Sequence, residues 1–156
     1  MRRYLISSCV IAMLLGGSAS LTAQSPDLFA NWFSDASGYT QAMREHDRLK
    51  KPLLIYFYTD WCPYCRRLNT QVMGSAAVQK YLGSLVKVRI NSERGVQEKE
   101  LANRYHIRGY PALFLFPANS NRLLALSPYR RSQTGWVLMT PDEFIRKCQA
   151  LAGRDA

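Results

Sequence analysis

The stretch YFYTDWCPYCRRL, residues 56–68, sets two cysteines three positions apart just after a continuous apolar and aromatic run that starts at residue 53. A run of that kind reads as a β-strand buried on both faces. Pro63 suits the first position of a helix, where its missing N–H costs nothing. Cys62 therefore falls at a helix N-terminus, where backbone N–H groups lack intrahelical partners and favour a thiolate over a thiol. Such settings lower a cysteine pKa from ~8.5 into the range ~3.5–7.5. Arg66, one turn on, adds positive potential that solvent screens. Cys65 lies one turn inside the helix. Residues three apart there have Cβ atoms roughly 5–6 Å from each other, so a small adjustment closes a disulfide. The pair can open and close without refolding the chain.

This geometry divides the labour: Cys62, outermost, attacks or is attacked by a partner's sulfur, and Cys65, more covered, resolves the mixed disulfide. A static disulfide is a weaker use of the pair, because closing so small a loop removes little chain entropy. Two other uses stay open. The two thiolates with Met73 could hold copper, or the chain could be an interaction module without turnover.

The rest of the 156-residue chain supports a single core. Hydrophobic residues make up 47% of it, which suits a globular protein and argues against disorder. Arg2 and Arg3, an apolar stretch over residues 5–15 and a small, polar stretch over 16–23 have the layout of a secretory signal peptide. The apolar part is much shorter than the ~20 residues needed to span a bilayer. Residues 1–23 are therefore expected to be a cleaved leader, with Cys9 inside it, and residues 24–156 the mature domain. An oxidising compartment follows, most simply a bacterial periplasm. The formal net charge of +10 stays clearly positive once Arg2 and Arg3 are lost, and favours acidic partners or anionic membrane faces. The basic residues form only short pairs, such as Lys50-Lys51, Arg66-Arg67 and Arg130-Arg131, so nucleic acid is not an expected partner.

Four cysteines are too few and too unevenly spaced for a disulfide scaffold. A zinc site wants four ligands, and His46 and His106 show no ligand spacing to the pair. Cys148 falls on the apolar face of the last helix, where a free cysteine behaves as a small hydrophobe. His106 reads as a loop or helix-end residue.

Outward from the cysteines, the pattern predicts a short first strand over 29–33 and an amphipathic helix over 39–50. The cysteine helix continues to a kink at Gly74-Ser75 and a further segment over 78–82. A strand over 85–90, a helix over 98–105 and a strand over 112–116 follow, and 123–126 is its antiparallel partner. Thr140-Pro141-Asp142-Glu143 is a capping box that starts the last helix. Residues 127–139 contain Tyr129, Trp136 and Val137 and are expected to pack, without an assigned element. The order β-α-β-α-β-α-β-β-α implies parallel crossovers followed by a hairpin.

Gly109-Tyr110-Pro111 stands before the strand over 112–116. With YFYTDWCPYC and RGYPALFLF separated by a helix, strand and helix of fitting length, the chain resembles the thioredoxin superfamily over roughly residues 39–152. Within it, the chain looks most like exported thioredoxin-like proteins related to the C-terminal domain of DsbD, and its GYP segment is similar to that of protein disulfide isomerases. The resemblance implies an α/β thioredoxin fold, a central mixed sheet flanked by helices. It also implies a thiol–disulfide oxidoreductase that needs no bound cofactor or metal, exchanges with protein thiols or disulfides and, as a reductase, takes electrons from a membrane donor. Cys62 and Cys65 would be catalytic. Trp61, Pro63, Tyr64, Tyr110 and Pro111 would contact substrate, with Pro111 cis against the pair and Tyr110 offering its backbone to an extended segment. The sequence departs from the pattern at Tyr56, where thioredoxins carry a buried acid that moves the proton of the resolving thiol. Water or the Tyr56 hydroxyl would have to serve. Asp60 sits in the turn and shapes it. Pro63-Tyr64 is like the dipeptide of glutaredoxins.

Overall fold

The computed structural model describes residues 27–153; the expected leader, its cleavage site and Cys9 lie outside these residues. Among the described residues, seven strands and five α-helices run in the order β1 (Phe33–Ser34), α1 (Asp35–Leu49), β2 (Leu53–Tyr58), α2 (Pro63–Leu68), α3 (Ala76–Leu82), β3 (Val86–Asn91), α4 (Val96–Arg104), β4 (Ala112–Phe116), β5 (Leu124–Leu126), β6 (Tyr129–Ser132), β7 (Gly135–Leu138) and α5 (Pro141–Ala152). A π-helical turn, Asn69–Met73, continues α2 and stops at Gly74, short of α3.

The central sheet has the order β1-β3-β2-β4-β5. β1, β3 and β2 are parallel, while β4 is antiparallel to both β2 and β5. β2 lies in the middle, and its residues from Leu53 to Phe57 are buried, as the unbroken apolar run requires. One sheet face carries Leu54, Tyr56, Leu113 and Leu115 and packs on Leu68, Val72, Val78 and Leu82 and on Phe144, Cys148 and Leu151 of α5. The other carries Leu53, Ile55, Phe57, Val88 and Ile90 and packs on Ala42 of α1 and Leu101 and Ala102 of α4. On β3 the basic positions fall on the opposite face from this second core. Arg89 lies over the Phe29 ring at 4.7 Å, and the Lys87 ammonium donates to the carbonyl of Leu82 at 3.0 Å.

The structure shifts several sequence expectations. Residues 29–32 form turns rather than strand. The Asp27 carboxylate accepts from the Phe29 N–H at 3.0 Å, and the Phe29 and Trp32 rings meet edge to face at 5.2 Å beside Tyr56. α1 starts four residues before the amphipathic pattern does. Its first turn is held from a distance, the Glu98 carboxylate accepting from the Ala36 N–H at 2.9 Å. Residues 127–139 hold a β-hairpin, β6–β7, as a separate two-stranded sheet. The α5 capping box is present: Thr140 Oγ1 accepts from the Glu143 N–H and Glu143 Oε2 accepts from the Thr140 N–H.

Candidate active site at the carboxyl end of β2

Sheet register brings three loops to one place. β2 ends at Tyr58, which pairs with Asn91, the last residue of β3. Antiparallel pairing sets Phe57 opposite Ala112, the first residue of β4. The loops that follow β2 and β3 and the one that precedes β4 therefore converge beside the start of α2. The first carries Thr59 to Cys62, the second Ser92 to Gly95 and the third Gly109 to Pro111.

Cys62 is the N-cap of α2, with extended backbone and Pro63 in the first helical turn. Its sulfur accepts from the Cys65 N–H at 3.0 Å, and its carbonyl accepts from the Arg66 N–H at 3.2 Å. A donor aimed at sulfur favours the anionic form whenever the thiol is free. Cys62 and Cys65 form a disulfide with Cα atoms 5.3 Å apart, inside the usual range for that bond. Both are 2% exposed. The expected contrast, Cys62 outermost and Cys65 covered, is thus absent in the disulfide form, because both sulfurs join the core cluster on the α2 side of the sheet, with Tyr110 packed against it.

Polar contacts fix the loop that presents the pair. The Cys62 N–H donates to the Thr59 carbonyl at 3.3 Å. Asp60 accepts from the Asn91 side-chain amide at 3.0 Å, and its carbonyl accepts from Arg66 at 3.3 Å. Arg66 is tied to the turn it follows, and Asp60 shapes that turn, as expected. Asn91 is itself buried, and its N–H donates to Asp35, which also pairs with Arg94 at 3.0 Å.

Trp61 is 61% exposed; its indole N–H donates to Glu93 at 2.9 Å and its ring meets Tyr110 edge to face at 6.3 Å. Pro63 and Tyr64 are exposed on the first turn of α2, while Tyr110 and Pro111 are half-buried. The Tyr110–Pro111 peptide is cis. Tyr64, Tyr110 and Pro111 line one groove of about 310 Å³ together with Ser127, Tyr129 and Trp136. The structure thus brings expected contact residues together: Trp61 meets Tyr110, and Tyr110 lines the groove with Tyr64 and Pro111.

Sequence reasoning missed Tyr129 and Trp136 as site residues. The short polar turn Gln133-Thr134 before Gly135, set between two runs that carry Tyr129 and Trp136, was the available hairpin signal. It also missed Asn69, whose side-chain carbonyl accepts from the Tyr56 hydroxyl at 3.1 Å. Burial pushes the Tyr56 phenol far above its ordinary range, and desolvation outweighs that hydrogen bond. A phenol so held stays protonated at neutral pH, which disfavours Tyr56 as acceptor of the Cys65 proton. The Cys148 thiol is buried on α5 and pushed up to about 12 by desolvation, which makes it inert at neutral pH. Met73 is buried in the same core cluster as the cysteine pair.

With this geometry in view, the sequence model described as thioredoxin-like matches residues 32–118. The chain is 33% identical over 81 residues to protein disulfide-isomerase of Gallus gallus, covering 52% of this chain and 15% of that protein. The curated relatives are thus much longer than the part this chain matches. Among solved structures, a thioredoxin from Thermus thermophilus is similar at a TM-score of 0.60 and 19% identity, covering 80% of this chain and 89% of that one. The oxidised C-terminal domain of DsbD from Neisseria meningitidis follows at 0.55 and 16%, covering 76% and 97%. These likenesses fit the fold expected from the sequence, a mixed five-stranded sheet flanked by helices.

Proposed function

We propose that this chain, which belongs to the thioredoxin-like family, is a thiol–disulfide oxidoreductase acting on partner proteins through Cys62 and Cys65. One observation carries the reading: the Cys62 sulfur caps α2, accepts the Cys65 N–H and is already bonded to Cys65, beside the Tyr110–Pro111 loop.

Starting from the reduced pair, the Cys62 thiolate attacks one sulfur of a partner disulfide. A new S–S bond forms, the partner's other sulfur leaves as thiolate, and it takes a proton from water. Cys65 then loses its proton to solvent and attacks the Cys62 sulfur. The mixed disulfide breaks and the second partner thiol is released. Two electrons pass to the partner, and the protein is left as the disulfide seen here. Trp61, Pro63, Tyr64, Tyr110 and Pro111 are assigned to substrate contact in this scheme.

The direction we assign is reduction, in keeping with the likeness to the DsbD domain. We assign the protein to the periplasm, on the signal-peptide layout of residues 1–23 in the sequence. An oxidising compartment then demands a supply of electrons, for which a membrane thiol–disulfide donor is the partner proposed.

Turnover of insulin disulfides with dithiothreitol as the electron source tests the assignment. The wild-type protein is expected to accelerate reduction, and a Cys62→Ser, Cys65→Ser double variant to match the uncatalysed rate. Equal rates for the two would overturn it, and stoichiometric copper(I) on the reduced pair would then favour metal handling.

A further inference from the structure

The hairpin β6–β7 lies beyond the residues matched by the family, yet it forms one wall of the groove that Tyr64, between the two cysteines in sequence, and Pro111 also line. Its attachment is specific. The Tyr129 ring meets Tyr64 edge to face at 5.9 Å, and its hydroxyl donates to the Tyr64 carbonyl at 3.4 Å, so β6 is docked on the first turn of α2. On the other strand face, Arg130 pairs with Glu143 of the α5 capping box at 3.2 Å. The ladder is continued by the Met139 N–H, which donates to the Pro128 carbonyl at 2.9 Å.

Register decides what faces the groove. Tyr129 pairs with Leu138 and Arg131 with Trp136. Residues directly opposite in an antiparallel pair share a face, as do residues two apart. Tyr129, Arg131, Trp136 and Leu138 therefore share one face, and Arg130 and Val137 the other. Trp136 lines the groove and is still 68% exposed, a large apolar ring left open to solvent in a groove that Tyr64 and Pro111 also line. A groove of about 310 Å³ is at the small end of ligand sites and matches one bulky side chain better than a cofactor. A cation stands by it: Arg131 lies directly across from Trp136 on the same hairpin face.

The geometry points to the hairpin as a specificity element: it seats a bulky apolar side chain adjoining the reactive cysteine of an extended partner segment that carries an acidic residue nearby. This rests on the exchange function proposed above. Continuity of the groove with Pro111 and Tyr64 puts the seated side chain within a few residues of the sulfur under attack. Arg131 beside Trp136 and the positive net charge select the acidic neighbour. A second copy of this chain is a poorer occupant, since a stable dimer buries about 800 Å² per partner and the groove is a recess for one side chain.

The test uses short cysteine peptides activated as mixed disulfides with nitrothiobenzoate, mixed with the reduced protein. Attack by Cys62 on the peptide sulfur expels the coloured thiolate, which reports the rate. Two peptides differ only in having Phe or Gly on both sides of the cysteine, with a Glu further along. The wild-type protein is expected to prefer the Phe peptide by about ten-fold, equivalent to ~1.4 kcal/mol. Trp136→Ala should reduce that preference to near unity, and Val137→Ala, on the opposite hairpin face, should retain it. Exchanging Glu for Lys should slow the wild-type reaction, and less so in Arg131→Ala. Equal wild-type rates for the Phe and Gly peptides, or a preference that survives Trp136→Ala, would overturn the assignment while leaving the exchange function standing. No reaction with either peptide, in a protein whose disulfide dithiothreitol reduces, would instead bring down the exchange function and this inference with it.

Discussion

Cys65→Ser is expected to turn the protein into a trap. Cys62 can still attack a partner disulfide, but no second thiol displaces the captured chain, so mixed disulfides accumulate and survive non-reducing electrophoresis. Cys62→Ser should accumulate none and should lower insulin turnover by about a thousand-fold or more, as loss of a nucleophile generally does. The asymmetry follows from position. Cys62 is the cap residue whose sulfur receives the Cys65 N–H, whereas Cys65 lies inside α2. Comparable trapping by both single variants would show that either sulfur can lead. The proteins recovered on Cys65→Ser from a periplasmic extract would identify the partners and, through their redox state, the direction of electron flow.

The second large effect concerns Tyr56. It is wholly buried in β2, with the Phe29, Trp32 and Tyr58 rings 5.6–6.4 Å from it. Tyr56→Ala should cost roughly 3–5 kcal/mol, read as a drop in the urea midpoint, because the packed neighbours cannot collapse into the space. Tyr56→Phe keeps the ring and loses only the bond to Asn69, so its cost should be near ~1 kcal/mol. Its insulin turnover should equal that of the wild-type protein, since the raised phenol carries no proton for Cys65. A ten-fold or greater slowing, ~1.4 kcal/mol on the barrier, would put the hydroxyl back in the proton path.

Local chemistry made much of this protein readable from residues alone. The apolar run of β2, Pro63 after the cap, and Thr140 with Glu143 each act within a few positions of themselves, so strand, site helix and α5 were legible. The sheet's parallel core followed from alternating elements. The cis form of Pro111 came only with the family resemblance; an isolated X-Pro is usually trans. What stayed hidden depends on distant partners. The start of α1 rests on Glu98, whose carboxylate is 62 positions from Ala36 in the chain. The π-helical turn, which seats Asn69 under Tyr56, has no signature in the sequence around Gly74. β6–β7 was blurred because one hairpin face is basic and aromatic and stays exposed, so it lacks the apolar alternation of a half-buried strand. The burial of Cys62 was missed for a related reason: a helix-capping residue looks exposed until the loop before β4 is laid beside it.

The most direct measurement is the pH dependence of iodoacetamide alkylation of the reduced, folded protein, with modified cysteines located by mass spectrometry. Cys62 should react with a midpoint below ~7.5, as a capped thiolate does. Cys148, held at about 12, should stay silent throughout the neutral range. A Cys62 midpoint at or above the ~8.5 of an ordinary thiol, or no reaction until the fold is lost, would contradict the account.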